Sequence, residues 1–265
     1  ISVKDLYLQI SSMGDEKPGI VEGNDLPDFN PDDEYLKEVK SPIFYAVQKN
    51  INIQTGQPTV MEFDMQRISQ RINIIFNIRT EGNIKKEDLS APIIELSGTC
   101  GRFNISDACL DTTRLYRTVH QVQPDEFTQT GEGTYRCAVH FHTLGIIPSA
   151  AKGHLNGPGI LQVALQVSTP QLDAAGAPVL DADGNPVKNS RYIYGAINPY
   201  DELTAAQLIE VRDGKTYLRY SKEDVNIEIT TPLVIKADKI VPNDTGMGWQ
   251  PHDPSNPDDD IIIEI

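Results

Sequence analysis

The fold is decided by residues 71–78, which read RINIIFNI. Large apolar side chains occupy every second position of this stretch, namely Ile72, Ile74, Phe76 and Ile78. Since successive side chains of a β-strand point to opposite faces, these four share one face and Ile75 lies on the other. β-Branched and aromatic residues also suit the pleated, half-buried surface of a sheet. The stretch therefore predicts a strand with one face in a core.

The same period of two recurs along most of the chain. It is present in SPIFYAVQKNINI (41–53), TYRCAVHFHTL (134–144), GILQVALQVS (159–168), RYIYGAI (191–197) and PLVIKADKI (232–240). The clearest helical candidate is DELTAAQLIEVRDG (201–214), which Asp201 or Thr204 can cap and Gly214 can end. Many short strands with few short helices predict an all-β protein of β-sandwich architecture.

The domain organisation is predicted from length and composition. A chain of 265 residues suits two domains of about 100–150 residues each. Residues 145–159, GIIPSAAKGHLNGPG, are rich in Gly, Pro, Ser and Ala, as a linker would be. We therefore predict two β-sandwich domains in series, 1–150 and 151–265. Short repeats of fixed period are not expected.

The charge of the chain limits its partners. It carries 38 acidic and 23 basic side chains, a formal net charge of −15. A field of this sign repels nucleic-acid phosphates and anionic lipid surfaces, so neither is an expected partner. No apolar run approaches the roughly 20 residues that span a bilayer, so no membrane span is expected in this chain.

The cysteines are three in number, Cys100, Cys109 and Cys137, and no CxxC spacing occurs. The spacing therefore argues against a zinc knuckle or a thioredoxin-like site. Buried thiols are the simpler expectation. A small disulfide loop between Cys100 and Cys109 is the alternative.

Recognisable catalytic patterns are missing from the sequence, since it contains no G-x-S-x-G, H-E-x-x-H or P-loop. His140 and His142 lie two apart on a predicted strand and share a face, but no third metal ligand is evident near them. The stretch LDADGNPV (180–187) departs from the calcium-loop pattern and instead predicts a hairpin turn at residues 183–186. We therefore expect a protein that is not an enzyme and has no cofactor or metal site.

Three segments resemble the fimbrillin-like proteins of Bacteroidales, which are subunits and anchors of type V pili. They are FDMQRISQRINIIFNI (63–78), IIELSGTCGRFNI (93–105) and EITTPLVIKADKIVPNDTGMGWQP (228–251). The match is one of pattern and carries no catalytic signature. It implies two sandwiches of transthyretin-like topology and export as a lipoprotein to the outer membrane or the fimbrium. It also implies a role in adhesion, with other pilus subunits, anchor proteins or surface ligands as partners.

The resemblance also implies a mode of assembly. In polymerising members, an arginine-directed protease removes the first strand, and a strand from the next subunit fills the groove. In this sequence no arginine precedes Arg67, and the chain starts at Ile1 without a leader, so we expect a mature or trimmed product. An anchor or accessory role therefore stands beside the role of a polymerising subunit.

The chain ends in DDDIIIEI (258–265), which predicts a short strand. Three isoleucines share one of its faces, and Ile262 and Glu264 share the other. We take Ile261, Ile262, Ile263 and Ile265 as the candidate assembly strand. Its destination stays open between a sheet of its own chain, a sheet of a neighbour, and no sheet.

A second function from a different class is a monomeric glycan-binding protein at the cell surface. Its ligand would contact exposed aromatic side chains, for which the candidates are Tyr192, Tyr194, Tyr200 and Trp249.

Overall fold

The computed structural model describes residues 7–10, 35–36, 38–48, 51, 55–56, 58, 60–82, 84–220, 222, 224–237, 239–243 and 248–252. Its elements in chain order are β1 (Tyr7–Gln9), β2 (Phe44–Tyr45), β3 (Gln66–Arg67), β4 (Gln70–Glu81), a 3-10 turn (Lys86–Asp88), β5 (Ile93–Asn104), β6 (Cys109–Gln121), β7 (Phe127–Gly131), β8 (Thr134–Thr143), β9 (Leu161–Pro170), β10 (Lys188–Ile197), α1 (Tyr200–Ala206), β11 (Ile209–Arg212), β12 (Lys215–Leu218), β13 (Asp224–Lys236), β14 (Lys239–Val241) and β15 (Gln250–Pro251). Strands dominate, which confirms the predicted all-β class. Among the described residues, no helix has the length and apolar character needed to cross a membrane.

The described strands form two main sheets. The larger has the order β11-β12-β6-β5-β9-β10-β15, with β1 also paired to β5, and the smaller has the order β14-β13-β4-β8-β7. Strands β2 and β3 pair separately. In the smaller sheet β4 lies between β8, which is antiparallel to it, and β13, which is parallel to it. The strand that decides the fold is thus a central one.

The core lies between the two sheets. The predicted alternation of β4 is confirmed, since its four inward side chains, Ile72, Ile74, Phe76 and Ile78, are each 0% exposed. They belong to one apolar cluster with inward side chains of β5, β8, β9 and β13. Burying side chains of this size stabilises the fold by roughly 1.5–3 kcal/mol each before ordering costs. A smaller cluster around Phe103, Leu110 and Leu144 fills the far end of β5 and β6.

Both sheets take strands from either side of the boundary predicted near residue 150. Strand β13 pairs with β4 in the smaller sheet, and β9 pairs with β5 in the larger one. The described strands therefore form a single sandwich, and the predicted boundary does not separate two of them.

The presumed linker, residues 145–159, is packed against β5. The N–H of Ile147 donates to the carbonyl of Gly98 at 2.9 Å. Gly98 has a φ of +84°, and a Cβ there would lie 2.6 Å from the backbone nitrogen of Gly159. Gly98 of β5 therefore allows the two backbones to approach closely, and the segment is packed there and is not a flexible connection.

The predicted helix is correct in its first half and wrong in its second. Helix α1 ends at Ala206, and residues 209–218 form the hairpin β11–β12 at the edge of the larger sheet. Gly214, predicted to end the helix, lies in the hairpin turn with a φ of +73°. The N-cap is Pro199, and no side chain caps the helix.

The hairpin turn predicted at residues 183–186 is confirmed by the bridge between Leu180 and Pro186. The expectation of no short repeat is wrong, because LDAAGAPV (172–179) is followed directly by LDADGNPV (180–187). In each repeat one aspartate oxygen accepts two backbone N–H groups, at 2.8 and 2.9 Å. Two equivalent turns therefore stand side by side between β9 and β10.

Candidate functional site

The first candidate site is an edge of the smaller sheet. Strand β13 pairs with β4 along one edge, but β14 covers only residues 234–236 of the other edge. Within the described part of the chain, no strand and no backbone hydrogen bond occupies the second edge of residues 224–230. An unpaired edge presents a row of backbone N–H and C=O groups, so these residues, hereafter the open edge, can accept a further strand.

The side chains of the open edge alternate regularly between the core and the surface. Val225, Ile227 and Ile229 are buried, and the residues between and around them are exposed. Helix α1 lies against this strand and places Leu203 in the same core cluster. A strand added at this edge would therefore extend an existing apolar layer if it carried an apolar side chain at every second position.

A bulge ends the open edge. The pairing of β13 with β4 shifts register between Ile229 and Leu233, where Pro232 has no backbone N–H to donate. The indole Nε1 of Trp249 donates to the carbonyl of Thr231 at 2.9 Å. Its ring lies 5.1 Å from that of Phe76. Trp249 thus fixes the bulge that separates the open part of β13 from the part paired to β14.

The predicted ligand-facing aromatics do not form one site. Trp249 is only 1% exposed, so the prediction that it faces a ligand is wrong. Tyr192 and Tyr194 lie on the outward face of β10 with ring centroids 6.4 Å apart and planes at 27°. Tyr200 is the first residue of α1, a different element. Two of the four residues are therefore neighbours.

The predicted assembly strand, Ile261, Ile262, Ile263 and Ile265, lies outside the described residues. Its role as a strand stays a prediction.

The second candidate site is a group of ligating side chains on the outer face of β8. Both His140 and His142 project from this face, as predicted. The structure adds a third possible ligand, Glu38, and one donor atom from each of the three residues lies within 4.8 Å of the others. The N–H of Val39 donates to the carbonyl of His142 at 3.3 Å, which holds residue 38 beside the strand. We refer to these three residues as the Glu-His-His group.

Sequence reasoning missed Glu38 because it lies far from the histidines in the chain and belongs to an irregular segment. Periodicity relates residues within one element and gives no information about such a contact.

Two further titratable side chains adjoin the Glu-His-His group. Glu126 lies with one oxygen 2.7 Å from Nε2 of His120 and the other 3.5 Å from Nδ1 of His140. Burial and the charge of Arg71 lower the pKa of His140, against the opposing effect of the two nearby glutamates. An imidazole that is neutral at neutral pH can donate a lone pair to a metal ion.

The cysteines take no part in either site. All three are free and buried, as the sequence predicts. Burial raises the pKa of Cys100 and of Cys137 to about 12. Their thiols are therefore protonated and unreactive at neutral pH.

Comparison with known proteins gives no relative. No protein-family model, no curated protein and no solved structure matches the chain.

Proposed function

We propose that the protein is a fimbrial subunit of the cell surface, structural or accessory, which assembles by β-strand addition and serves adhesion. The observation that carries the proposal is the open edge of β13. It is regular over residues 224–229, and its inward side chains already belong to the core. An extended segment of another subunit would satisfy its free backbone groups and place apolar side chains beside Val225, Ile227 and Ile229.

The sequence offers a donor with the matching period. Ile261, Ile263 and Ile265 recur at every second position, as the open edge requires. Burying three isoleucines gains roughly 1.5–3 kcal/mol each. Ordering five residues costs about 1–2 kcal/mol per residue. These contributions nearly cancel, so a durable link needs a longer donor segment that includes residues before Ile261.

The proposal is tested by removing the donor. Intact chains are expected to form a ladder of oligomers in native mass spectrometry, and chains lacking residues 256–265 are expected to stay monomeric with an unchanged circular dichroism spectrum. The triple variant Ile261→Ser, Ile263→Ser and Ile265→Ser should behave like the truncation. Ile262→Ser, on the opposite face of the strand, is the matched control and should still assemble. Monomeric intact chains, or assembly that survives the truncation, would contradict the proposal.

A glycan-binding protein is the second candidate function, and the pair Tyr192 and Tyr194 favours it. Adjacent aromatic rings on an outer strand face can pack against the apolar face of a sugar. Calorimetry with saccharides would test this candidate, since binding should be lost on changing both tyrosines to alanine and should not depend on residues 256–265.

A further inference from the structure

We propose that Glu38, His140 and His142 bind a divalent transition-metal ion, of which Zn²⁺ is the best match. This property is independent of strand addition. The two imidazoles and one carboxylate are a donor set that zinc takes in proteins, with water completing the coordination.

The geometry of the Glu-His-His group lies close to that of a bound site. Zinc bonds of about 2.0–2.2 Å in a tetrahedron place neighbouring donor atoms roughly 3.4 Å apart. The three donors here lie within 4.8 Å of one another. The side chain of Glu38 is exposed and those of the histidines are half-buried, so small rotations can bring the donors together.

The surroundings of the histidines support the same assignment. A histidine that ligates a metal commonly donates its other ring N–H to a carboxylate, which orients the ring. Glu126 lies close enough to take this role after a small movement, with an oxygen 3.5 Å from Nδ1 of His140. The same carboxylate accepts the backbone N–H of Gln123 at 2.8 Å and contacts His120 at 2.7 Å, so it is itself held in place.

The local charge favours a cation. Arg71 lies opposite His142 in the pairing of β4 with β8 and opposes cation binding. Two carboxylates, those of Glu38 and Glu126, face the histidines and attract a cation. The whole chain, with a net charge of −15, adds to the attraction.

A bound ion would join two parts of the sandwich. Leu36 and Val39 contact both sheets, because the N–H of Leu36 donates to the carbonyl of Arg117 on β6 and the N–H of Val39 donates to the carbonyl of His142 on β8. Tyr35, Leu36 and Val39 are all buried. A metal bridge from Glu38 to two residues of β8 would add a further attachment between this part of the chain and the smaller sheet.

The experiment is calorimetric titration of the full chain, free of any affinity tag, with zinc chloride in a buffer that does not bind metals. The wild-type protein is expected to bind one equivalent and to melt at a higher temperature with zinc than after treatment with EDTA. His140→Ala, His142→Ala and Glu38→Gln should each remove the stoichiometric binding. Glu126→Gln should weaken it about 10–100-fold, as expected for a residue that orients a ligand.

The matched control is His154→Ala, which removes an exposed histidine outside the group. It should bind zinc like the wild type. Glu38→Gln preserves shape at an exposed position, so its circular dichroism spectrum should match that of the wild type and exclude misfolding. Absence of one-equivalent binding in the wild type, or binding that Glu38→Gln and His140→Ala leave unchanged, would overturn the proposal.

Discussion

The two edges of the smaller sheet differ in length, regularity and burial, which are the properties that decide whether a further strand can pair with an edge. Strand β7 forms one edge with five residues, of which only Phe127 is buried, and a bulge follows Gln129. Strand β13 forms the other side, and residues 224–229 are free of bulges with every second side chain in the core. Short, bulged, polar edges are the means by which natural sheets avoid unwanted pairing. Strand β7 thus has the features of a protected edge, whereas residues 224–229 of β13 have neither a bulge nor a short length.

The largest expected difference between the edges is in the free energy of unfolding that is lost when one of their side chains is truncated. Ile229 on β13 is 1% exposed, and Ile229→Ala should lower the free energy of unfolding by about 2–5 kcal/mol, because it leaves a cavity in the core. Gln129→Ala on β7 changes an exposed side chain and should change the free energy of unfolding by no more than about 0.5 kcal/mol. Urea unfolding followed by circular dichroism measures both values. Similar losses for the two variants would remove the distinction between the edges.

A smaller effect is expected at the bulge that ends the open edge. Trp249→Phe removes the hydrogen bond to the carbonyl of Thr231, whose net contribution is about 0.5–1.5 kcal/mol. Hydrogen exchange should become faster in residues 231–236, since the bulge loses its partner. Tyr192→Phe removes a hydroxyl from an outer face and is the control. Unchanged exchange in Trp249→Phe would mean that Trp249 does not hold the bulge.

The smallest expected effect is on the pH dependence of stability, and it concerns strand β10 of the larger sheet, which begins at Lys188. The ammonium of Lys188 donates a hydrogen bond to Asp88 at 2.6 Å. Burial acts to raise the pKa of Asp88, but the hydrogen bonds from Lys188 and from the N–H of Lys85 outweigh it and lower that pKa overall. A carboxyl whose pKa is lower in the folded state stabilises the fold above its unfolded pKa, near 3.9. This contribution is lost as the pH falls through the folded value.

Asp88→Asn should therefore show a smaller loss of stability between pH 7 and pH 3 than the wild type, as measured by urea midpoints. Asp201→Asn changes an exposed aspartate that pairs with Lys152 and serves as control. A wild-type pH dependence that Asp88→Asn leaves intact would contradict the assignment and leave Lys188 without a role at the start of β10.

The sequence predicts individual strands well, but it predicts poorly which strands pair with one another. Alternation identifies β4 and β8 because the period of a strand decides which side chains reach the core. It does not indicate that β4 pairs with β13 from the far end of the chain. The segment 145–159 misleads for a related reason, since its glycines resemble those of a linker although the segment packs closely on Gly98 of β5. The eight-residue repeat at 172–187, in contrast, can be read from the sequence itself.

The candidate sites show the same contrast between what spacing within one strand predicts and what only tertiary contacts reveal. His140 and His142 could be placed on one face from their spacing alone, whereas Glu38 joins them only through tertiary contacts. Trp249 shows that residue type does not predict exposure, because the indole that suggested a ligand contact instead fills the core beside Phe76. The open edge depends on which strands are neighbours, and this information is present only in the fold.

The most direct test of strand addition is disulfide trapping between the donor and the open edge. The native cysteines are buried, so introduced ones should react selectively. A chain with Glu264→Cys and either Asn226→Cys or Glu228→Cys covers two registers on the outward face, and Glu264→Cys with Thr128→Cys on β7 is the control. We predict that mild oxidation links the first chains into ladders and leaves the control monomeric. Equal linking at both edges, or links only within single chains, would contradict assembly through β13.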